Sequence, residues 1–238
     1  MANRKHVELI KQCSNERIRK QIACDEDPSK EFDVVDPELK NMDLSHADLS
    51  NMNLNGIDLR NSNLKNTDFT KTDLRFALMC NSDLTGANLS EAQMPGVCFT
   101  ESNMENTKLI NTWLQSSNLD RVRFHNANLS GADLKNSKLN GSVLHGTILI
   151  GTNLRNAELN QSDLSGADLR NADLRDADFS GADFSNVNLD GARVLSRQWF
   201  DGLEEYNSPV KGIRPEEWSV RVEYDEYKRE VCSIIRKL

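Results

Sequence analysis

An apolar residue stands at every fifth position of this chain from Leu39 to Val194, without a single insertion. These 32 positions, called centres below, hold 23 Leu, 5 Phe, 3 Met and one Val. The residue two before the centre is Ala, Ser or Thr in 25 pentads, and the pre-centre residue, directly before the centre, is Asp or Asn in 20. A pattern this regular indicates one repeated structural unit.

Neither an α-helix nor a straight β-strand accommodates a period of five. In a helix, each five-residue step advances the side chain by about 140°, so the centres would spread around the axis. In a straight strand, an odd period would put successive centres on opposite faces. A chain that turns a corner every five residues solves both problems, because each short side then sends one large and one small side chain inward. Gly, Asn and Ser between the centres suit such corners.

The stretch Leu164–Phe179 reads LSGADLRNADLRDADF, which resembles the A(D/N)Lxx repeat of the pentapeptide-repeat family. The resemblance covers residues 36–195. It implies an all-β fold, a right-handed quadrilateral parallel β-helix with four pentads in each coil. The pentads then form about eight coils and a solenoid of about 38 Å at the spacing of paired strands. Representative centres of the expected core are Leu39, Leu44, Leu64, Phe69, Leu84, Phe99, Leu134, Leu174 and Phe179.

The segments on either side of the repeat predict α-helical caps over the open ends of the solenoid. Residues 1–35 form the N-terminal cap, with Val7 and Ile10 at near-helical spacing. Residues 196–238 form the C-terminal cap, with one helix over 196–206 and a second that begins at Pro215. The second helix is inferred from a stripe with spacings of 4, 3, 4, 3 and 4 residues, which consists of Val220, Tyr224, Tyr227, Val231, Ile234 and Leu238.

The C-terminal segment has a second interpretation, a dimerisation seam. The family resemblance allows it, because several members pair through their C-terminal ends. A monomer and a C-terminal homodimer therefore both remain open.

Composition argues against several classes of function. Hydrophobic residues make up 37% of the chain, below the roughly 45–50% of typical domains, so the core is thin and the molecule elongated. The formal charge of −8 disfavours direct binding to nucleic acid, which depends on Lys and Arg. No apolar run reaches the roughly 18–20 residues of a membrane span, and no signal-peptide stretch follows Met1.

Five cysteines without metal-type Cys-x-x-Cys spacing are typical of reduced thiols in a cytoplasmic protein. Cys80 and Cys98 are close enough in the repeat to consider pairing. If the chain between the two positions is extended, their Cα atoms lie about 8 Å apart. A disulfide needs less than about 7 Å. We therefore predict free thiols and a cytoplasmic location.

No catalytic motif is present: the chain lacks a Gly-rich phosphate loop, His-Glu-x-x-His and Gly-x-Ser-x-Gly. We expect neither an enzymatic activity nor a cofactor. Residues 20 apart stack in a four-pentad coil, which places His125 and His145 above one another and Glu105 next to His125. These three side chains are candidates for a divalent-metal site, with solvated surface residues as the alternative.

The repeat departs from its own consensus in its middle. Nine of the fifteen pre-centre residues between positions 78 and 148 are neither Asp nor Asn, against three of seventeen elsewhere. Apolar side chains gain nothing in water, so this zone indicates a binding surface, with neutral drift as the alternative. The candidate partner-binding residues are Leu78, Lys108, Ile110, Trp113, Arg123, Lys138, Val143, Ile148 and Ile150.

Two functions fit these observations. The first is a non-enzymatic scaffold that binds a protein partner through its faces. The second follows from the resemblance, since some family members imitate duplex DNA, bind DNA gyrase and protect it from quinolones. DNA of 38 Å carries about 22 charges, whereas residues 38–195 hold 20 acids and 14 bases. The low net charge favours the scaffold. The acids cluster late in the repeat, however, which leaves open a mimic confined to one acidic face; these late acids are Asp163, Asp168, Asp173, Asp176, Asp178, Asp183 and Asp190.

Overall fold

The computed structural model describes residues 3–12, 14, 39–196, 199–204, 212–213, 215–227 and 229–237. Between residues 39 and 194 the chain alternates short extended pieces with turns in a five-residue rhythm. Isolated parallel bridges join each pre-centre residue to the pre-centre residue 20 positions later, from Asp43–Asn63 to Asp173–Arg193. Four pentads therefore complete one coil, as the family resemblance implies.

The bridges line up in four columns, which define the four faces of the solenoid. Within a column, each residue lies over the one 20 positions before it. The columns run from Asp43 to Asp183 (face 1), from Asp48 to Asn188 (face 2), from Asn53 to Arg193 (face 3) and from Asp58 to Asp178 (face 4).

The centres fill the interior of the coils. The nine representative centres from Leu39 to Phe179 named above are at most 1% exposed. The small residues two before the centre are buried with them, and many of their hydroxyl groups donate hydrogen bonds to the carbonyl of a centre on the preceding coil. Thr67 Oγ1 donates to Leu44 O at 2.8 Å, and Ser82 Oγ donates to Leu59 O at 2.8 Å. These bonds allow polar residues into an otherwise apolar core.

Every corner of the repeat has the same backbone conformation. From residue 41 to residue 191, the residue two after each centre has a positive φ, at 21 non-glycine residues and 10 glycines. This left-handed region favours Gly and, among the others, Asn. It explains the Gly and Asn residues between centres, and it makes a bulky side chain at this position unusual.

The pre-centre Asp and Asn residues stabilise these corners. All 20 of them accept a hydrogen bond at Oδ1 from the backbone N–H two residues later. Such a bond closes the local turn that these residue types favour. The consensus Asp or Asn before the centre thus has a structural role in the repeat.

A helix over residues 4–12 (α1) lies on the first coil. Asn3 N donates to Asp43 O at 3.1 Å, and Asp43 N donates to His6 Nδ1 at 2.9 Å. Ile10 is fully buried. These contacts cover part of the open edge of the first coil, while residues 15–35 of the predicted N-terminal cap, and its boundary with the repeat, fall outside the described residues.

The C-terminal segment contains β1 (Arg193–Val194), α2 (Trp199–Glu204), a 3-10 turn (Pro215–Glu217), β2 (Trp218–Tyr224) and β3 (Glu230–Arg236). The three strands form an antiparallel sheet in the order β1-β3-β2. Gly191 N donates to Ile234 O at 2.7 Å, and Ile234 N donates to Ala192 O at 2.8 Å. Strand β3 therefore covers the last coil.

The predicted second C-terminal helix is wrong. Of its stripe, Val220, Tyr224, Tyr227, Val231 and Ile234 are distributed over a β-hairpin and its turn, and Leu238 falls outside the described residues. The same segment carries a period of two, with Val220, Val222 and Tyr224 in β2, and buried Cys232 and Ile234 in β3. These β-branched and aromatic residues favour strands, and the open backbone edge of the last coil gives β3 a partner. Helix α2 lies within the predicted 196–206 helix.

Candidate protein-binding surface

The nine candidate residues lie on all four faces and do not form one surface. Face 2 carries Lys108 and Ile148, separated by Asn128 in the same column, with the partly buried Ile110 and Ile150 beside them. Each of the other faces carries one or two of the set: Arg123 and Val143 on face 1, Trp113 on face 3, and Leu78 and Lys138 on face 4.

Side chains also meet along a diagonal between neighbouring coils. The residue directly after a centre contacts the pre-centre residue 18 positions later. Lys65 Nζ lies 3.0 Å from Asp83 Oδ2, and Gln115 Nε2 donates to Asp133 Oδ2 at 2.8 Å. The same register occurs in the pairs Lys40–Asp58, Thr70–Asn88, Glu105–Arg123 and Asn140–Glu158.

Cys80 and Cys98 occupy this diagonal register and form a disulfide, with Cα atoms 5.7 Å apart. The prediction of free thiols at these two positions is therefore wrong. It treated residues 78–80 as extended chain, whereas residue 80 already lies in the turn at 80–81. The turn shortens the distance along the coil, which brings the diagonal neighbours within disulfide range.

Exposed apolar side chains lie on both sides of the edge where faces 3 and 4 meet, with Phe76 and Leu78 on one coil and Trp113 two coils later. Phe76 is 63% exposed, Trp113 55% and Leu78 38%. Leu78 pairs with Cys98 of the next coil, and the diagonal register places Pro95 beside Trp113. We call Phe76, Leu78, Pro95 and Trp113 the apolar corner, and the Cys80–Cys98 disulfide lies beside it along face 4.

Phe76 was missed in the candidate set, although the sequence contains a signal for it. It stands two residues after a centre with φ of 57°, a conformation that disfavours a bulky side chain. Its ring lies against Gly96 of the next coil, since a Cβ added to Gly96 would lie 2.6 Å from Phe76 Cδ1. An aromatic residue in a position otherwise suited to Gly and Asn marks the corner.

Charged residues around the apolar corner are engaged with one another. Arg60 binds Asp58 and Arg75 binds Asp73, with nitrogen–oxygen distances of 2.6 and 2.7 Å. Hydrogen bonds from the Arg60 side chain lower the pKa of the Asp58 carboxyl. Because these opposite charges compensate each other, the corner offers a partner apolar contact with little net charge at its edge.

The acids near the end of the repeat do not line up as a charge ladder. Asp163 and Asp183 lie on face 1, Asp168 on face 2, Asp173 on face 3 and Asp178 on face 4. All five accept hydrogen bonds from their own turns. Hydrogen bonds from Arg170 also lower the pKa of Asp168, and Arg175 binds Asp173. These carboxylates are distributed around the solenoid and partly neutralised.

The two candidate metal-binding histidines stack on each other. The rings of His125 and His145 lie 5.1 Å apart with an interplanar angle of 7°. Glu105 instead binds Arg123 at 2.5 Å, and His145 Nδ1 lies 2.7 Å from Ser165 Oγ. Within the described residues no group of three or more His, Cys, Asp or Glu side chains is arranged to hold a metal ion.

The stacked coils and the family comparison define the class of the protein. Residues 117–194 match the family described as a pentapeptide repeat region, and residues 43–75 and 68–106 match pentapeptide repeats (8 copies). The chain belongs to the pentapeptide-repeat family. No curated protein matches it significantly by sequence.

Solved structures of pentapeptide-repeat proteins resemble this chain. HetL, involved in heterocyst differentiation regulation in the cyanobacterium Nostoc, is 23% identical with a TM-score of 0.52, over 73% of this chain and 84% of HetL. A protein from the Arabidopsis thaliana thylakoid lumen is 31% identical with a TM-score of 0.40, over 42% of this chain and 69% of its own. The plasmid-mediated fluoroquinolone resistance protein QnrB1 is 17% identical with a TM-score of 0.38, over 71% and 97%. The HetL likeness supports the β-solenoid fold.

The described residues contain no helix with the length and apolar character needed to cross a membrane.

Proposed function

We propose that this protein is a non-enzymatic scaffold that binds a protein partner through its solenoid surface, with the apolar corner at the centre of the contact. The observation that carries the proposal is the exposure of Phe76, Leu78 and Trp113 at one edge of the wall. Exposed aromatic and aliphatic side chains that lie together mark interaction sites. Trp is among the residues that contribute most to binding when a partner covers them.

The backbone of the solenoid supports this function. Around the corner, Leu78 N donates to Ile57 O at 2.8 Å, and Cys98 N donates to Ala77 O at 3.0 Å. Each coil is thus bonded to the coils before and after it, and its side chains project from a fixed lattice. A surface that is ordered before binding loses little conformational entropy on binding, which favours recognition.

Three finer assignments belong to the same proposal. We propose a right-handed solenoid of about eight coils, which the regular 20-residue bridges support. We propose a cytoplasmic location and no direct contact with nucleic acid, consistent with the net charge of −8. The oligomeric state is proposed as a monomer or a C-terminal homodimer. The homodimer is supported by β2, which lies at one edge of the sheet and ends at the 66% exposed Tyr224.

The test compares two double variants in a partner-capture experiment from extracts of the source organism. Trp113→Ala/Leu78→Ser truncates two exposed side chains of the apolar corner, and Ile148→Ser/Ile150→Ser truncates two aliphatic side chains of face 2. We expect a protein captured by the wild type and the face 2 variant to be lost with the corner variant. For the purified partner, truncation of a central Trp should weaken binding by about 30-fold or more. Equal binding by the corner variant and the wild type would refute the proposed site.

A further inference from the structure

We infer that Cys80 and Cys98 form a modification site, a reversible dithiol–disulfide pair that exchanges with small-molecule disulfides of the glutathione class. The inference rests on the position of the two residues in the coil lattice, on their surroundings and on their accessibility. It goes beyond partner binding and stands independently of it.

The coil lattice holds both cysteines in place without the covalent bond. Cys98 N donates to Ala77 O at 3.0 Å, and Met79 N donates to Cys98 O at 2.8 Å. On the other side of Cys80, Asn81 N donates to Thr100 O at 3.0 Å. The diagonal register of 18 residues also brings six non-covalent side-chain pairs into contact in this solenoid. The two thiols therefore lie within reach of each other both before the disulfide forms and after it is reduced.

The surroundings suit the reduced state as well as the oxidised one. Cys80 Sγ lies 3.5 Å from Cys98 O, and Cys98 Sγ lies 3.4 Å from Thr100 Oγ1. A thiol at either position has a polar neighbour already in place. Both cysteines are partly exposed at the wall, in contrast with the buried Cys232. A small disulfide can reach the pair from solvent, which is the condition for site-selective exchange.

The exchange proceeds in two balanced steps. One cysteine thiolate attacks the small-molecule disulfide, forms a mixed disulfide and releases one small thiolate. The second cysteine thiolate then attacks the protein sulfur of the mixed disulfide, which forms the Cys80–Cys98 bond and releases the second small thiolate. Two protein thiols are oxidised to one disulfide, and the small-molecule disulfide is reduced to two thiols. In a reducing compartment, disulfides of this kind are usually transient or sensory.

The experiment uses the full chain with Cys13, Cys24 and Cys232 changed to Ser, so that Cys80 and Cys98 are the remaining cysteines. The protein is equilibrated in buffers with different ratios of reduced to oxidised glutathione, quenched with acid and alkylated. Intact mass spectrometry then gives the number of alkylated thiols. We expect one transition between zero and two alkylated thiols, with the same circular dichroism spectrum at both ends. In the Cys80→Ser variant, the remaining cysteine should end as a mixed disulfide with glutathione.

A matched pair of variants tests the register. Thr70→Cys/Asn88→Cys, in a background with Cys80 and Cys98 changed to Ser, has the same separation of 18 and should form a disulfide. Leu78→Cys/Thr100→Cys in that background spans the opposite diagonal, with a separation of 22, and should stay reduced. Thiols of Cys80 and Cys98 that remain fully alkylatable in oxidised glutathione would overturn the inference. Loss of the β-solenoid signal on reduction would also overturn it, because the bond would then be a structural requirement.

Discussion

The ring of Phe76 lies directly against Gly96 on the next coil, so that a single added methyl group at Gly96 would meet Phe76 Cδ1 at 2.6 Å. Both residues have a positive φ, 57° for Phe76 and 70° for Gly96. Phe76 can hold this orientation in the apolar corner because residue 96 on the next coil has no side chain.

This contact leads to a prediction for Gly96→Ala. The added Cβ costs about 1–2 kcal/mol for the left-handed backbone and displaces the exposed Phe76 ring, which is free to rotate away. The matched control is Gly56→Ala, where φ is 65° and no atom lies within 4 Å of the added Cβ. Urea denaturation should give similar losses of stability for both variants. NMR spectra of labelled Phe should change at Phe76 with Gly96→Ala alone. A much larger loss of stability for Gly96→Ala would mean that Phe76 is rigidly held.

A second prediction concerns the inward direction of the centres. Leu134 is fully buried, so Leu134→Arg places an unpaired charge inside the coil and should unfold the solenoid. Its neighbour Asp133 points outward and accepts hydrogen bonds from Lys135 N at 3.1 Å and from Gln115 Nε2. Asp133→Asn should be tolerated, and Asp133→Ala should cost about 1 kcal/mol through the lost turn bond. Circular dichroism with urea titration separates these outcomes, and a folded Leu134→Arg variant would contradict the inward assignment.

Acid should destabilise the fold through the pre-centre carboxylates. Hydrogen bonds from Ser50, Arg60 and Arg170 hold the pKa values of Asp48, Asp58 and Asp168 below the ordinary value of 3.8. The unfolded chain therefore binds protons more readily than the folded one, and stability is fully present above about pH 4 and falls as the pH drops below it. Urea midpoints measured from pH 2 to pH 7 test this dependence.

The variant Asp58→Asn/Asp168→Asn is the control for that titration. It removes two of the titrating groups and keeps an oxygen that accepts the turn hydrogen bond. Its stability should vary less with pH than that of the wild type between pH 2 and pH 4. An identical slope in both proteins would exclude these two carboxylates as the cause.

Binding to DNA gyrase is expected to be absent. The carboxylates that would imitate DNA phosphates lie on four different faces, and their oxygens are engaged with their own turns and with Arg170 and Arg175. In a supercoiling assay with purified gyrase, micromolar protein should neither inhibit the enzyme nor protect it from ciprofloxacin. Protection that is lost on neutralising the late acids would reverse this conclusion.

The repeat itself was predictable because its signal is redundant. A centre such as Leu134 is one of 32 with similar neighbours, so the inward direction and the stacked coil follow from the pattern, whereas the four pentads in each coil were implied by the family resemblance. The error at Cys80 and Cys98 arose from local geometry, since the distance between diagonal neighbours depends on where the turn begins, and the period alone does not specify this. Phe76 is the one Phe, Tyr or Trp two residues after a centre between residues 41 and 191, but the meaning of that position depends on the positive φ of the corners, which the structure shows.

The C-terminal hairpin was not predictable from its own periodicity. Val220, Tyr224, Val231 and Ile234 satisfy helical spacing, and Val220, Val222 and Tyr224 satisfy strand alternation equally well. The choice between the two is made by tertiary contact, since the backbone of the last coil offers hydrogen bonds to Ile234 that a helix would not satisfy. Short segments that carry both periods take their structure from their neighbours.

The constant step of 20 residues between bridged positions has a consequence for how such a chain changes in length. Removing or duplicating one whole coil leaves every remaining residue on the face where it was, and both end segments still meet the surfaces that receive them. Losing a single pentad would instead rotate everything beyond the deletion by a quarter turn and separate neighbours that now belong to one patch. We therefore expect the fold to tolerate a change in length of whole coils and to be disrupted by the loss or gain of a single pentad.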